Sequence, residues 1–488
     1  MCDCLGTLIV HRRETPLIVV IGVGYVGEHL VNVFSRRFNV IGYDISPARA
    51  ELLSLRFQGN RRVLITSSTS CLRLGTHFLI AVPTLLRPDK TVDSSFLRSA
   101  LEAVASNARP GSTVVIESSV AVGMTRQLLG PIARSKRFYA GMSPERVDPG
   151  RTEPPAYSIP KIVSGLDDII PGSLYAIRMI YNAVFDTVIS VSKPEVAEMT
   201  KLYENCQRMV CIAFANEMAD ACGTHGISSF EVCEAASTKP FGYMPMTPSL
   251  GVGGHCIPVN PYYLLSTNDF PLLEAATARM NARPALIAHQ SITRLYKRLG
   301  WRLGHDPDVE ARHSVVTPPD SDSERGAARR LRRETDPAIL EALRHFGDGL
   351  LGNGDQQAPY GSSTETLGES DESLAARQAV DSPPPLPHLP RVLVVGIGFK
   401  AGQSHLVNSP GVALAQSLLA SKKVSVKWCD PLVTQLGFAE IPRFDESFWT
   451  KSRLEEAFDM IIVAFRQHGL DFGVLQNLHG VDVEMWCP

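Results

Sequence analysis

A single thiol closes a run of glycines at Gly251-Val252-Gly253-Gly254-His255-Cys256-Ile257-Pro258. Glycine admits positive φ and lets a backbone come close to a ligand, because no Cβ intervenes. A cysteine held there presents its sulfur to whatever the backbone cradles, which suits a nucleophile. The plain alternative is a glycine-rich turn around a buried, inert cysteine. Glu198, Lys201, Asn205 and Arg208 fall at spacings of three, four and three, so a helix would carry them on one face. The adjoining stretch 209–215 is strongly apolar, which makes that helix at least half buried. A lysine and an asparagine on such a face are candidates to hold a developing oxyanion, with a solvated polar stripe as the competing reading. Ser143-Pro144-Glu145-Arg146-Val147-Asp148-Pro149-Gly150 sets a carboxylate in a proline-bracketed loop. Glu145 is placed there to hold or activate a water, and a salt bridge to Arg146 is the rival.

These residues need elements to position them. A short apolar run at 17–21 reads as a buried parallel strand. It leads into Gly22-Val23-Gly24-Tyr25-Val26-Gly27, after which 28–38 has helical spacing. A second strand at 39–44 ends in Asp44, about 20 residues beyond the first glycine. GxGxxG alone is a weak signal, but between a strand and a helix, with that acid following, it predicts a dinucleotide site. The glycines would seat a pyrophosphate on N–H groups at a helix N-terminus. Asp44 would accept from ribose hydroxyls and repel a 2′-phosphate, favouring NAD over NADP, while Arg49 on the adenine side tempers that preference. Further strands are expected at 77–82 and 113–117, near whose C-terminal ends such folds bind ligands.

The expected division follows from changes of character along the chain. Residues 1–16 are an extension and 17–192 a doubly wound NAD-binding domain. Residues 193–303 are a central helical domain, with long helices at 193–223 and 272–299 around the cysteine loop. Such helices often pair between subunits, so a homodimer or larger homo-oligomer is expected. Residues 304–390 hold an arginine-rich run at 325–333 and Pro383-Pro384-Pro385-Leu386-Pro387, and read as a disordered tether with a short helix around 337–346. Order returns at 391–400, a strand entering a second glycine turn, and 391–488 echoes the first domain. The fold class is therefore α/β, two Rossmann-like doubly wound domains joined by a central helical domain.

Composition narrows the function classes. With 488 residues, 44% hydrophobic, the chain can build several cores, and a formal net charge of −2 gives no reason to expect nucleic acid or an anionic membrane as partner. Ten scattered cysteines without a CxxC pair suit reduced thiols, and no metal site is expected. The opening Met1-Cys2-Asp3-Cys4 does not read as a signal peptide, and no apolar run reaches the ~20 residues of a membrane span. A cytoplasmic protein is the expectation.

Taken together, these motifs resemble the UDP-glucose/GDP-mannose dehydrogenase family. The resemblance is carried by GVGYVG, Ala81-Val82-Pro83-Thr84, Ser118-Ser119-Val120, the SPERVDPG loop, Lys201 and Asn205 with Asn216-Glu217, and GVGGHCIP, in that order. Arg279-Met280-Asn281 and Gly398-Phe399-Lys400 match as well, and Ile159-Pro160-Lys161 with Lys239-Pro240-Phe241-Gly242 look most like the branch acting on UDP-N-acetylhexosamines. The resemblance implies four-electron oxidation of the C6 hydroxyl of a nucleotide sugar to a uronic acid, with NAD as cofactor and Cys256 forming a thiohemiacetal and then a thioester. By the same resemblance Lys201 and Asn205 steady the oxyanion, Glu145 assists the water and Ser119 helps position it. Val82, Pro83, Thr84 and Ser119 join the glycine turn, Asp44 and Arg49 around the cofactor. Lys239, Phe241, Gly253, Phe399 and Lys400 join Glu145, Lys201 and Asn205 around the UDP-sugar.

Three departures accompany it. Asn260 stands where the family has an aspartate four residues after the cysteine, removing a carboxylate from proton handling. Val407 stands where an arginine is expected to bind substrate, and the C-terminus 481–488 lacks its usual arginine. They motivate an alternative, a catalytically impaired relative that binds NAD or a nucleotide sugar in a regulatory role. A two-electron hydroxyacid dehydrogenase with an incidental Cys256 is the third reading. NADH formed per substrate consumed separates them: two, none or one.

Overall fold

The computed structural model describes residues 15–148, 150–301 and 388–487. Most of the expected extension (1–16) and tether (304–390), including the arginine run, the proline run and the short helix at 337–346, lies outside the described residues. The described residues up to 295 and from 389 onward belong to one compact unit, and 296–301 and 388 to a second.

Ten strands and five helices come first. β1 (Leu17–Ile21), β2 (Asn39–Tyr43), β3 (Val63–Thr66) and β4 (His77–Ile80) alternate with α1 (Tyr25–Phe34) and α2 (Pro47–Arg56). A hairpin of β5 (Leu85–Leu86) and β6 (Val92–Asp93) precedes α3 (Ser95–Asn107), β7 (Thr113–Ile116), α4 (Met124–Lys136) and β8 (Tyr139–Met142). Then come β9 (Lys161–Gly165), α5 (Ser173–Tyr181) and β10 (Val188–Ser190). The sheet runs β10-β9-β8-β7-β4-β1-β2-β3, parallel except where β9 meets β8 antiparallel. Strands buried on both faces read as continuous apolar runs, and Ile18, Val19 and Val20 of β1 are fully buried, shared between clusters on the two faces. Strand order reverses between β1 and β4, the switch point outside which such sheets bind ligands.

The middle of the chain is helical: α6 (Pro194–Thr224), α7 (Ser229–Ser237), α8 (Asn260–Leu265) and α9 (Pro271–Arg298). Proline at the first position of α6 has no N–H to lose. Its buried stripe includes Ala197, Lys201, Leu202, Asn205, Cys206 and Met209, and Cys206, Met209 and Ala213 pack with Ile257, Leu264, Leu273 and Met280. A second parallel sheet, ordered β12-β11-β13-β14, is built from β11 (Arg391–Val395), β12 (Ser425–Cys429), β13 (Met460–Val463) and β14 (Asp482–Met485), with α10 (Pro410–Ala420) and α11 (Lys451–Ala457). Its Asp430, fully buried, accepts from the Ile397 and Gly398 N–H groups, much as Asp44 accepts from Val23 in the first sheet.

Candidate active site

The glycine turn after β1 uses its three glycines differently. Gly22 sits at φ +83, in the left-handed region, and a Cβ there would meet the Ala81 carbonyl oxygen at 3.0 Å. Gly24 is the N-cap of α1, and a Cβ on it would have nothing within 4 Å. Gly27 presses α1 onto β1, so that a Cβ would fall 2.0 Å from the Gly22 carbonyl oxygen. A tight turn, an open approach to a helix N-terminus and a close helix–strand contact are what a pyrophosphate site needs. Asp44 Oδ2 accepts from Val23 N at 3.0 Å, and Arg49 donates to the Val23 carbonyl at 3.1 Å and pairs with Glu28 at 3.2 Å. Asp44 and Arg49 thus both grip the turn. Val82 and Thr84 are half-buried and Pro83 exposed where the chain leaves β4. Ser118 Oγ donates to the Val82 carbonyl at 2.7 Å, and Thr84 Oγ1 to the Ser119 carbonyl at 2.8 Å, so the expected cofactor residues of two adjacent strands share one rim.

Tyr25 ties that turn to the 143–148 loop, its hydroxyl donating to the Asp148 carbonyl at 2.9 Å. Burial, then the Asp148 carboxylate, push the hydroxyl up to about 12, and Glu145 and Cys256 are also near enough to contribute. Cys256 itself is a half-buried free thiol. Lys201 is 8% exposed and burial pushes its ammonium below the usual lysine range, against the pull of Cys256, Glu145 and Glu204. No carboxylate lies within ion-pair distance of it among the described residues, so its charge is available to a ligand. One turn further, Asn205 Nδ2 donates to Asn260 Oδ1 at 2.5 Å, and Asn260 N donates to the Cys256 carbonyl at 2.9 Å. The expected face of α6 is therefore real for Glu198, Lys201 and Asn205, all buried, whereas Arg208 turns to solvent. Glu198 serves the fold, capping α4 through Gly123 N at 2.6 Å and Thr125 N at 2.8 Å.

Glu145 does not pair with the Arg146 side chain. Arg146 pairs with Glu204 at 2.6 Å. Glu145 Oε1 accepts from Arg146 N and Val147 N at 2.7 and 3.0 Å, and Oε2 takes Lys161 Nζ at 2.9 Å. Burial works to raise this carboxyl, but Lys161 and the N–H groups outweigh it and carry it below the usual range.

The segment between β11 and α10 meets the cysteine loop. Gly254 N donates to the Val407 carbonyl at 3.0 Å, and Asn408 Nδ2 to the Gly254 carbonyl at 2.9 Å. A Cβ on Gly253 would meet Phe399 Cβ at 3.0 Å, and one on Gly254 would meet the Phe399 ring at 3.0 Å. The valine that stands for the expected arginine thus contributes its backbone to the loop. Lys400 pairs with Asp148 at 3.2 Å, bridging the second sheet to the Glu145 loop. Lys239 and Phe241 are exposed and face each other as a cation–π pair at 5.3 Å. No hydrogen bond or ion pair among the described residues joins them to the cluster. Two features escaped the sequence reading. Arg283, 1% exposed, holds Asp220 with both terminal nitrogens at 2.8 and 2.9 Å and donates to the Ser249 carbonyl, bracing the glycine loop from α9. The other is the Glu117–Lys161 pair behind Glu145.

A doubly wound sheet with this turn and acid is a dinucleotide-binding fold. The family model for the NAD binding domain of the UDP-glucose/GDP-mannose dehydrogenase family matches residues 16–184, and that for its central domain residues 195–282. Among curated proteins, a UDP-N-acetyl-D-glucosamine 6-dehydrogenase of Pseudomonas aeruginosa is 31% identical over 309 residues, 58% of this chain and 71% of that protein. A UDP-N-acetyl-D-mannosamine dehydrogenase of Pyrococcus horikoshii is 32% identical over 299 residues, 56% and 69% of the two chains. The solved UDP-glucose dehydrogenase of Pyrobaculum islandicum superposes with a TM-score of 0.67 at 19% identity, covering 97% of this chain and 99% of that one. The UDP-D-ManNAc dehydrogenase of Pyrococcus horikoshii gives 0.64 at 23% identity, over 92% and 88%. The chain belongs to the UDP-glucose/GDP-mannose dehydrogenase family, and is an oxidoreductase with NAD as its cofactor. Among the described residues no helix is long and apolar enough to cross a membrane, and no group of three His, Cys, Asp or Glu side chains could hold a metal ion.

Proposed function

We propose that the protein oxidises the C6 hydroxyl of a UDP-N-acetylhexosamine or UDP-hexose to the carboxylic acid in two successive two-electron steps, through a covalent bond to Cys256. The relatives named above are the ground for the substrate class. Gly22, Gly24, Gly27, Asp44 and the rim of Val82, Thr84 and Ser119 would hold NAD, which supplies the hydride acceptor. The chain's own residues do the rest. The Cys256 thiolate adds to the C6 aldehyde left by the first oxidation, making a thiohemiacetal. The Lys201 ammonium and the Asn205 amide balance the charge on its oxygen, where a buried cation is worth most. Loss of the second hydride leaves a thioester, and water adds to its carbonyl beside Glu145, expelling the thiolate and releasing the acid. Phe399 and Lys400 shape the sugar-nucleotide side of the cleft.

The observation that carries this reading is the convergence of a half-buried thiol, a buried lysine with no ion-pair partner among the described residues, and an asparagine pair beside the cysteine loop. The test is stoichiometric: two NADH per UDP-sugar consumed in wild type, and none for Cys256→Ser beyond any trapped first step. No NADH from any of a panel of UDP- and GDP-sugars would favour the regulatory relative, the reading that Asn260 in place of a carboxylate motivates. One NADH per substrate, unaffected by Cys256→Ser, would leave simple alcohol oxidation.

Three lesser points belong to the same reading. We divide the chain into domains at 17–192, 193–303 and 391–488, a reading supported by the order of first sheet, helices and second sheet. A homodimer through the central helices is supported by the apolar residues Tyr203, Phe214 and Met218 on α6, 70%, 62% and 45% exposed. The eight described cysteines are all free thiols, in keeping with a reducing cytoplasm.

A further inference from the structure

Behind Glu145 lies a buried charge cluster that the reaction above does not use. Lys161 of β9, 2% exposed, commits all three ammonium protons: to Glu117 Oε2 at 2.7 Å, Glu145 Oε2 at 2.9 Å and the Pro144 carbonyl at 3.4 Å. Glu117, 1% exposed, extends from the end of β7, and its second oxygen accepts from the Tyr181 hydroxyl of α5. One cation is thus shared by two carboxylates in a water-poor site. Burying an unbalanced charge is costly, so such a set readily takes up one more proton. Glu117 is the place for it, since burial pushes its carboxyl up to about 7, with Lys161 opposing and Glu145 adding. Lys161 stays protonated because the two carboxylates outweigh its own burial. From α6 the cluster is faced by Lys201, and beyond it by Glu204, which is itself paired with Arg146.

We propose that Glu145, Lys161 and Glu117 form a proton relay behind the cysteine, with Glu117 as the store, an inference that rests on the covalent reading of the site. As water adds to the thioester carbonyl, its proton passes to Glu145 Oε2. Lys161 gives one of its protons to Glu117 Oε2 and takes the one on Glu145 in its place, so the ammonium is restored. The tetrahedral oxyanion collapses and the Cys256 thiolate departs, so the products are the acid, the thiolate and protonated Glu117. The proton runs from the stronger carboxylic acid to the weaker, which is downhill. The Tyr181 hydroxyl occupies the far oxygen of Glu117, so the near one, facing Lys161, receives the proton. Glu117 discharges to solvent by the reverse path between turnovers.

Glu117→Gln preserves the shape and the contacts to Lys161 and Tyr181 while removing the store. With NAD and whichever UDP-sugar wild type oxidises, kcat should fall by about 10²-fold, with both KM values within about twofold. Wild-type kcat should rise with pH through about 7, and this limb should vanish in the variant. The thioester should accumulate on Cys256 and appear as a sugar-nucleotide mass adduct on the intact protein. Lys161→Arg, which keeps a charged donor, should retain more activity than Lys161→Met. Unchanged pH dependence with no adduct in a folded Glu117→Gln protein overturns the relay and leaves the covalent reading standing. If Glu117→Gln does not fold, infrared titration of the wild type decides: no buried carboxyl titrating near 7 overturns the relay. Absence of NADH with every sugar tested removes the covalent reading and the relay with it.

Discussion

The glycine turn makes opposite demands at two positions three residues apart, and exchanging each for alanine separates them. In Gly27→Ala the new methyl would stand 2.0 Å from the Gly22 carbonyl oxygen and 3.3 Å from Val20 Cγ1. The obstacle is backbone, so α1 must retreat from β1 by roughly 1 Å or more, loosening Leu30, Val31 and Phe34, which are at most 1% exposed. Overpacking of this kind costs ~1–3 kcal/mol, and a rigid obstacle puts it at the upper end. A domain of ~150–250 residues loses about 2–4 °C per kcal/mol, so Tm should fall by roughly 6–12 °C. In Gly24→Ala the methyl meets nothing within 4 Å and the residue sits at φ −75, open to any amino acid. Replacing an N-cap glycine by alanine costs ~1 kcal/mol or less, so Tm should move by only a few degrees. NAD binding should nevertheless weaken by about tenfold or more, because the methyl takes the space through which pyrophosphate reaches the helix N-terminus. Thermal melts without cofactor and calorimetric NAD titration read the two effects. A Gly27→Ala protein as stable as wild type, or a Gly24→Ala protein with unaltered NAD affinity, would refute the assignment of these roles.

Asn260→Asp keeps the oxygen that accepts from Asn205 and restores a carboxylate beside Cys256; kcat for acid formation should rise by about tenfold or more, and steady-state NADH production checks it. Lys161→Met would leave Glu117 and Glu145 facing each other without their cation, and should cost about 3–5 kcal/mol in urea unfolding. The contribution of Glu117 to stability should fall as pH rises between about 4.5 and 7, opposed up to about 6.5 by His77, whose imidazole burial pushes down to about 4. In that window folded Glu117 keeps a proton that the unfolded chain has released, so the unfolded state binds fewer protons and the slope is negative. The loss is about 3 kcal/mol from 2–3 pH units at 1.4 kcal/mol each. Lowered Glu145 and raised Lys161 add nothing to the slope there, since the first titrates below the window and the second above it. Unfolding of wild type and Glu117→Gln at pH 5 and 8 measures the difference, and parallel curves would contradict it.

Much of the site was legible because it depends on chain geometry over a few residues. The turn Gly22–Gly27 announces itself by spacing, and Asp44 by its place at the tip of the next strand. Lys201 and Asn205 share a face because a helix repeats every 3.6 residues; the same repeat places Arg208 on that face, and the packing around α6 leaves it in solvent instead. Cys256 stood out by its glycines. What stayed hidden was every partnership set by strand order. The sequence offered Arg146 as the rival partner for Glu145, yet the cation it meets is Lys161, delivered by a strand that runs antiparallel to β8. Apolar runs do not encode direction, so neither that reversal nor the meeting of Glu117, Lys161 and Tyr181 from β7, β9 and α5 could be read in advance. The clasp of Asn408 on Gly254 joins residues 154 apart. Periodicity and backbone freedom are properties of a short segment, and a string of residues states them outright. Which buried charge answers which is decided only when distant segments exclude water together, because only then does an unpaired charge become too costly to leave alone.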